Sequence, residues 1–262
     1  MIADFYSRRL LTLVLCAWIA MVPTASSQNL VESSAEARFQ LDLQVPHAAL
    51  MRLIPRGWTM DVRTQGAAKD ANLRVIFIER MAVNGPEGRP VGDGSNLLVY
   101  LTAPVKDPEG ASVQLVVGGI TGDAADAPGP FGVYLPAKTH SLKRTTSSGP
   151  GPVIETQDWL FEAATGEYFK FNVTFERAVV NKRPPRERRY CSAKNPASCQ
   201  IAKEQLMLDI VKNVTTNPPD RVQQYAFSAG GGAYADLFDG TERLLSWDNI
   251  LWLNQEIFLP QE

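Results

Sequence analysis

The chain is short of the residues on which metal and nucleophile chemistry usually draws. Its 262 residues include two histidines and three cysteines. His47 and His140 are far apart in sequence, and no Cys or His pair lies at ligand spacing, so no metal-binding framework is offered. There is no Gly-x-Ser-x-Gly elbow, which removes the usual support for a serine nucleophile. A phosphate loop is missing too. Gly230-Gly231-Gly232 follows a strand-like run but lacks the lysine and helix start that cradle a phosphate, and it reads as a bulge or a close approach of backbones. No cofactor is implied. Charge of one sign is also lacking: 26 basic residues face 28 acidic ones, which argues against nucleic acid or an anionic membrane surface as a partner.

What is present starts with the first residues. Arg8 and Arg9 precede an apolar stretch from Leu10 to Val22, and Ala25-Ser26-Ser27 supplies small residues where a signal peptidase reads. Residues 1–27 are therefore expected to be a signal peptide and residues 28–262 one exported domain, periplasmic or secreted. Ser7-Arg8-Arg9 leaves general and twin-arginine export both open. No later apolar run is long enough to span a bilayer, so no integral membrane segment is expected after cleavage. In an oxidising compartment Cys191 and Cys199, with Asn195-Pro196 to turn the chain between them, are expected to form a disulfide that shapes a local loop.

Strand-like alternation dominates the remainder. Phe39, Leu41, Leu43 and Val45 alternate with Arg38, Gln40, Asp42 and Gln44, the pattern of a half-buried strand. Pro46 then opens a short helix with Ala49, Leu50 and Leu53 on its apolar side. Residues 58–71 read as irregular. Asn72 to Val83 is apolar on both faces, so a central strand is expected. Strands follow at 96–105 and 112–119. Residues 145–152, rich in Ser, Gly and Pro, read as a loop, and Ala164-Thr165-Gly166 joins the two strands of a hairpin at 155–163 and 167–180. The basic run Lys182, Arg183, Arg186, Arg188 and Arg189 reads as a solvated loop. Residues 201–214 fit either strand or helix. A strand is expected at 221–228, and the aromatic-rich C-terminal part is expected to pack back on the core.

Three segments, in order, resemble the acetoacetate decarboxylase-like family. Val45-Pro46-His47-Ala48-Ala49-Leu50-Met51-Arg52-Leu53-Ile54-Pro55 is similar to that family's early strand-to-helix segment. Leu73 to Met81 is similar to its next long strand. Phe131-Gly132-Val133-Tyr134-Leu135-Pro136-Ala137-Lys138 resembles the segment that in the decarboxylase ends in Pro-Lys-Lys. The resemblance implies an α+β fold, mainly antiparallel β, built as a single domain around a cone-like β-barrel that encloses an apolar cavity. In the decarboxylase the first lysine of the pair forms a Schiff base with a β-keto acid, and a desolvated cavity keeps that amine neutral.

This sequence departs from the family where the chemistry lies. With Pro136 on the family proline, Ala137 stands at the reactive position and Lys138 at the supporting one. A slip of one residue would restore Lys138 as nucleophile but would reverse the side of the strand it faces. The reading favoured is a protein that binds a small apolar molecule bearing a carbonyl or carboxylate, with Phe131, Tyr134 and Lys138 near it and without Schiff-base decarboxylation. The alternative is a Schiff-base lyase using Lys138, with Glu79 as acid/base. Glu79 also fits a plain ion pair with a neighbouring base.

Overall fold

The computed structural model describes residues 29–122, 127, 129–213 and 221–260. The expected signal peptide, residues 1–27, lies outside the described residues. The strands, in chain order, are β1 (Asn29–Gln44), β2 (Thr59–Met60), β3 (Leu73–Asn84), β4 (Asn96–Lys106), β5 (Ser112–Thr121), β6 (Tyr134–Ser147), β7 (Ile154–Ala163), β8 (Tyr168–Glu176), β9 (Asn181–Lys182), β10 (Arg186–Ser192), β11 (Cys199–Asn213), β12 (Val222–Gly230) and β13 (Arg243–Leu259). The helical content described is α1 (His47–Met51) and a 3-10 turn at Gly232–Tyr234. The fold is α+β in class and mainly antiparallel β.

Alternation in β1 sets the architecture. Phe39, Leu41 and Leu43 are fully buried on one face, as the pattern requires, but Arg38, Gln40 and Asp42 on the other face are buried too. Water covers neither face. The polar face is enclosed because the sheet closes on itself in the order β5-β10-β11-β13-β1-β3-β4 and back to β5. The pairings in this ring are antiparallel except β5 with β10, which is parallel over Gln114–Val116. Ile76, Ile78, Leu98, Tyr100, Val116, Tyr190 and Ala202 point into the ring with the polar residues of β1.

The apolar outer face of the ring is covered by a second layer, β6-β7-β8-β12, whose strands pair antiparallel. Aromatic side chains fill the space between. Phe39 and Phe77 of the ring meet Phe171 at centroid distances of 5.0 and 5.4 Å, and Trp247 lies 5.7 Å from the same ring. Offset and edge-on contacts of this kind add to the burial of the largest apolar side chains.

Layer and ring join at β5. Its first half pairs with β10, while Gly119–Thr121 pairs in parallel with Tyr134–Pro136 of β6. Gly118-Gly119 mark this branch because no side chain fits there. A Cβ on Gly118 would lie 2.5 Å from the Tyr234 hydroxyl, and one on Gly119 would lie 2.5 Å from the Val99 carbonyl oxygen. The Gly119 N–H donates to the Tyr234 hydroxyl at 2.7 Å, which ties the 3-10 turn to the branch. The triple glycine is the close approach that its composition suggested. Gly231 has a φ of 74°, and a Cβ there would sit 2.0 Å from the Gly166 carbonyl oxygen.

Two sequence expectations change and two are made more specific. β6 runs through Thr145–Ser147, which pair with Ile154–Thr156, so the loop is shorter than its Ser and Thr content suggested. The basic run 182–189 is not a solvated loop: it supplies β9 and β10, held by pairing to β11. Residues 199–213 resolve as strand. The C-terminal part is dominated by β13, whose alternation is interrupted by register shifts against both β1 and β11.

The branch gives a stability test. Gly119→Ala sets a methyl group against backbone and should cost about 1–3 kcal/mol or more by urea unfolding. Gly149→Ala, where a Cβ meets nothing within 4 Å, should be near neutral.

Candidate functional site

An enclosed polar face needs partners for its charges, because an unpaired buried ion is costly. At one end of the ring the charges are paired from within, although Arg38 Nη1, the Tyr134 hydroxyl and Gln200 Oε1 have no hydrogen-bond partner among the described residues. Arg38 donates through Nε to Glu36 at 2.6 Å and through Nη2 to Gln255 at 2.9 Å. Arg80 bonds Glu32 and reaches Glu36 at 3.4 Å. Tyr100, Tyr134 and Tyr190 stand beside them, and burial pushes all three hydroxyls up from their ordinary range. The space left here is about 20 Å³, room for about one water. This narrow end is packed with side chains.

Glu204 on β11 is the hinge of the charge arrangement. It accepts from Arg186 Nε at 2.7 Å and from the Tyr190 hydroxyl at 3.1 Å, with Arg38 Nη1 at 3.6 Å and Arg188 Nε at 3.8 Å. Burial pushes its carboxyl up, but Arg38, Arg186 and Arg188 together outweigh burial and hold it below the usual carboxylate range. One carboxylate cannot satisfy so many guanidiniums. The buried Arg188 Nε has no hydrogen-bond partner among the described residues. Burial lowers the Arg188 pKa from its ordinary value, and Arg186 and Arg74 add to the effect.

Beyond Glu204 the ring widens into a cavity of about 240 Å³. Arg63, Arg74, Arg186 and Arg188 line it with Asp42 and Asp248, and Leu206, Leu208, Ile210 and Ile250 form an apolar wall. Ala67 and Ala68, from the irregular segment between β2 and β3, border it as well. Asp42 engages Arg74 with both oxygens, at 2.7 and 3.1 Å, and also accepts from Ser246 at 3.0 Å. Asp248 is in a different position: no described residue donates a hydrogen bond to its carboxylate. Burial pushes it up to about 6, against the pull of Arg74 and with a further push from Asp42. Positive charge, one unengaged carboxylate and an apolar wall thus share one concave surface, the usual makeup of a small-molecule site.

The residues singled out in the sequence fall in three places. Phe131 and Tyr134 come together in the narrow end, with ring centroids 6.5 Å apart. Lys138 is exposed on β6, while its neighbour Ala137 packs against the aromatic core. Glu79 lies in mid-strand on β3 and accepts from Arg144 Nη1 of β6 at 2.6 Å. Neither Lys138 nor Glu79 borders the cavity in the ring. Cys191 and Cys199 form the disulfide, directly opposite one another where β10 turns into β11, with Cα atoms 4.1 Å apart. Glu204 and Asp248 were missed, and Arg188 was read as part of a solvated loop. The signal for Arg188 was the alternation Arg186-x-Arg188 beside Glu187-x-Arg189, a strand period that a basic composition obscured. Among the described residues no group of three or more His, Cys, Asp or Glu is placed to hold a metal ion, and no helix is long and apolar enough to cross a membrane.

No protein-family model matches the sequence, and no curated protein matches it. Solved structures do match. The enduracididine biosynthesis enzyme MppR, with HEPES buffer bound, is 11% identical with a TM-score of 0.50, over 89% of this chain and 87% of that one. An acetoacetate decarboxylase-like enzyme from Sphingomonas wittichii RW1 is 10% identical with a TM-score of 0.49, over 87% and 90%. Acetoacetate decarboxylase from Legionella pneumophila subsp. pneumophila str. Philadelphia 1 is 9% identical with a TM-score of 0.46, over 88% and 87%. The fold is acetoacetate decarboxylase-like. At such identities the likeness speaks for the fold alone, and the chemistry of an acetoacetate decarboxylase-like ring has to be read from this chain's own side chains.

Asp248 gives the site a pH signature. Its folded pKa, about 6, lies above the ordinary aspartate value, so the folded state binds the extra proton. Ionising Asp248 therefore destabilises the fold above pH 6, and this cost vanishes below about pH 4. Asp248→Asn should be more stable than the parent by about 1–2 kcal/mol at pH 7.5 and equal to it at pH 3.5, measured by urea unfolding.

Proposed function

We propose that the protein is an exported binding protein whose ring takes up a small molecule with a carboxylate or carbonyl head and an apolar body, without Schiff-base decarboxylation. The observation that carries this reading is Arg188, a largely buried guanidinium with an unengaged Nε on the wall of a 240 Å³ cavity. A guanidinium short of acceptors beside Arg186 and Arg74 is a demand for an anion. Leu206, Leu208, Ile210 and Ile250 supply the surface that an apolar body would cover. The volume is below the 300–1,000 Å³ typical of sites for drug-sized molecules, which suits a small metabolite.

The lysines support the absence of Schiff-base chemistry. Imine formation needs an amine relieved of its proton, and desolvation is the usual way to achieve this. Every lysine whose side chain is described, Lys138 included, is exposed. Exposure supplies no such desolvation. The disulfide agrees with export, since such bonds persist in oxidising compartments.

Calorimetric titration with carboxylates of four to eight carbons tests the reading. Arg188→Gln should weaken binding about 10- to 100-fold, the range expected for losing a charge-assisted hydrogen bond. Lys138→Ala should bind like the parent, and borohydride treatment with β-keto acids or aldehydes should add no mass. A borohydride-trapped adduct on Lys138 would overturn the proposal in favour of a lyase.

A further inference from the structure

We propose that the ligand of the wide end is an unbranched aliphatic carboxylate, held with its head on Arg188 and its chain laid along β11 toward the mouth of the ring. The inference rests on the binding reading above and adds the shape, length and direction of its ligand. It starts from the strand register. Arg188 on β10 stands opposite Ala202 of β11, whereas Asp248 on β13 stands opposite Ile210, eight residues farther along the same strand. The two charged groups therefore mark opposite ends of the cavity that both line.

Between these ends β11 presents one apolar row. Leu206, Leu208 and Ile210 are spaced two apart, so strand alternation sends all three to the cavity side. Their exposure rises along the row: Leu206 is 2% exposed, Leu208 is partly buried and Ile210 is 39% exposed. Asp248, opposite Ile210, is only half-buried as well. The cavity thus opens toward Ile210 and closes toward Glu204, whose side chain is fully buried.

Charge sets the direction. The closed end holds the donor without an acceptor, Arg188 Nε. The mouth holds Asp248, whose carboxylate repels a second one. Arg63 also lines the cavity and acts on Asp248, so a ligand turned head outward onto Arg63 is the competing arrangement. That arrangement leaves Arg188 unpaired and drives an alkyl tail against Glu204 and its guanidiniums, which costs their remaining hydration. The row sets the length. Four residues from Leu206 to Ile210 cover about 13 Å at about 3.3 Å each. An extended chain of about 1.5 Å bonds advances about 1.3 Å per carbon, so about ten carbons reach the mouth. A compact, branched body of similar carbon count cannot cover the whole row.

Octanoate and 2-propylpentanoate, which share a formula and differ in branching, make the decisive pair for calorimetry with the full-length protein at pH 7.5. Octanoate should bind at least about 5-fold tighter. From butanoate upward each added methylene should tighten binding about 2- to 4-fold, and the gain should stop between about eight and twelve carbons. Ile210→Ser should weaken decanoate at least about 3-fold more than hexanoate, because only the longer chain reaches the mouth. Equal binding of octanoate and 2-propylpentanoate, or no gain with chain length, would overturn the unbranched ligand and leave the carboxylate reading standing. Equal losses for hexanoate and decanoate in Ile210→Ser would overturn the head-inward direction. Failure of the parent protein to bind any of these acids would remove the binding reading itself.

Discussion

One edge of β5 has to serve two strands. Its first half holds β10 and its last three residues hold β6, both in parallel, while β4 occupies the opposite edge. Hydrogen-bonding geometry allows one neighbour per edge at any point, so the chain hands over between Val116 and Gly119. The ring exists because β10 takes the first half, and the covering layer exists because β6 takes the second. Gly118 and Gly119 sit at the handover, where Tyr234 and the Val99 carbonyl leave no room for a Cβ. Loss of this arrangement would release ring closure and the aromatic core together, since Phe77 and Phe171 meet only when the layer lies on the ring.

Closure has an electrostatic consequence. In an open two-layer sheet the polar face of β1 would meet water, and Arg38, Gln40 and Asp42 would need nothing more. Inside the ring each needs a protein partner. Removing one partner of a buried pair typically costs about 3–5 kcal/mol, so such networks are nearly complete or expensive. The narrow end pairs Glu36, Arg38 and Arg80 with one another. It leaves Arg38 Nη1, the Tyr134 hydroxyl and Gln200 Oε1 without a hydrogen-bond partner among the described residues, in a space for about one water. At the wide end Glu204 is shared too widely to satisfy Arg188, and Asp248 is bypassed, beside a cavity of about 240 Å³. The likeness to solved structures speaks for the fold alone, and the chemistry is read from this chain's own side chains, among which Lys138 is exposed.

Much of the fold was legible in the residues. Alternation from Phe39 to Val45, apolarity on both faces from Leu73 to Val83, and the Ala164-Thr165-Gly166 turn gave β1, β3 and the β7–β8 hairpin, and Asn195-Pro196 between two cysteines gave the disulfide. Less legible was anything that depends on closure. Arg38, Gln40 and Asp42 look like a solvent face when a strand is read alone, and only pairing around the ring buries them. Arg186 and Arg188 look like loop charges for the same reason. β13 hid behind its bulges, and β6 behind Thr145-Thr146-Ser147, polar residues that suit an exposed strand as well as a loop. The candidate site was therefore sought on the β6 segment, where a lysine follows a family-like motif, and the residues around it came together across strands that are far apart in the chain.

The proposed binding places a small molecule in the interior of the ring rather than at the lysine on β6. A crystal structure grown with a saturating aliphatic carboxylate of four to eight carbons tests this most directly. Density in the wide end, with the carboxylate within hydrogen-bond distance of Arg188 and no change at Lys138, is the predicted result. An empty wide end with the ligand bonded to or resting against Lys138 would contradict it.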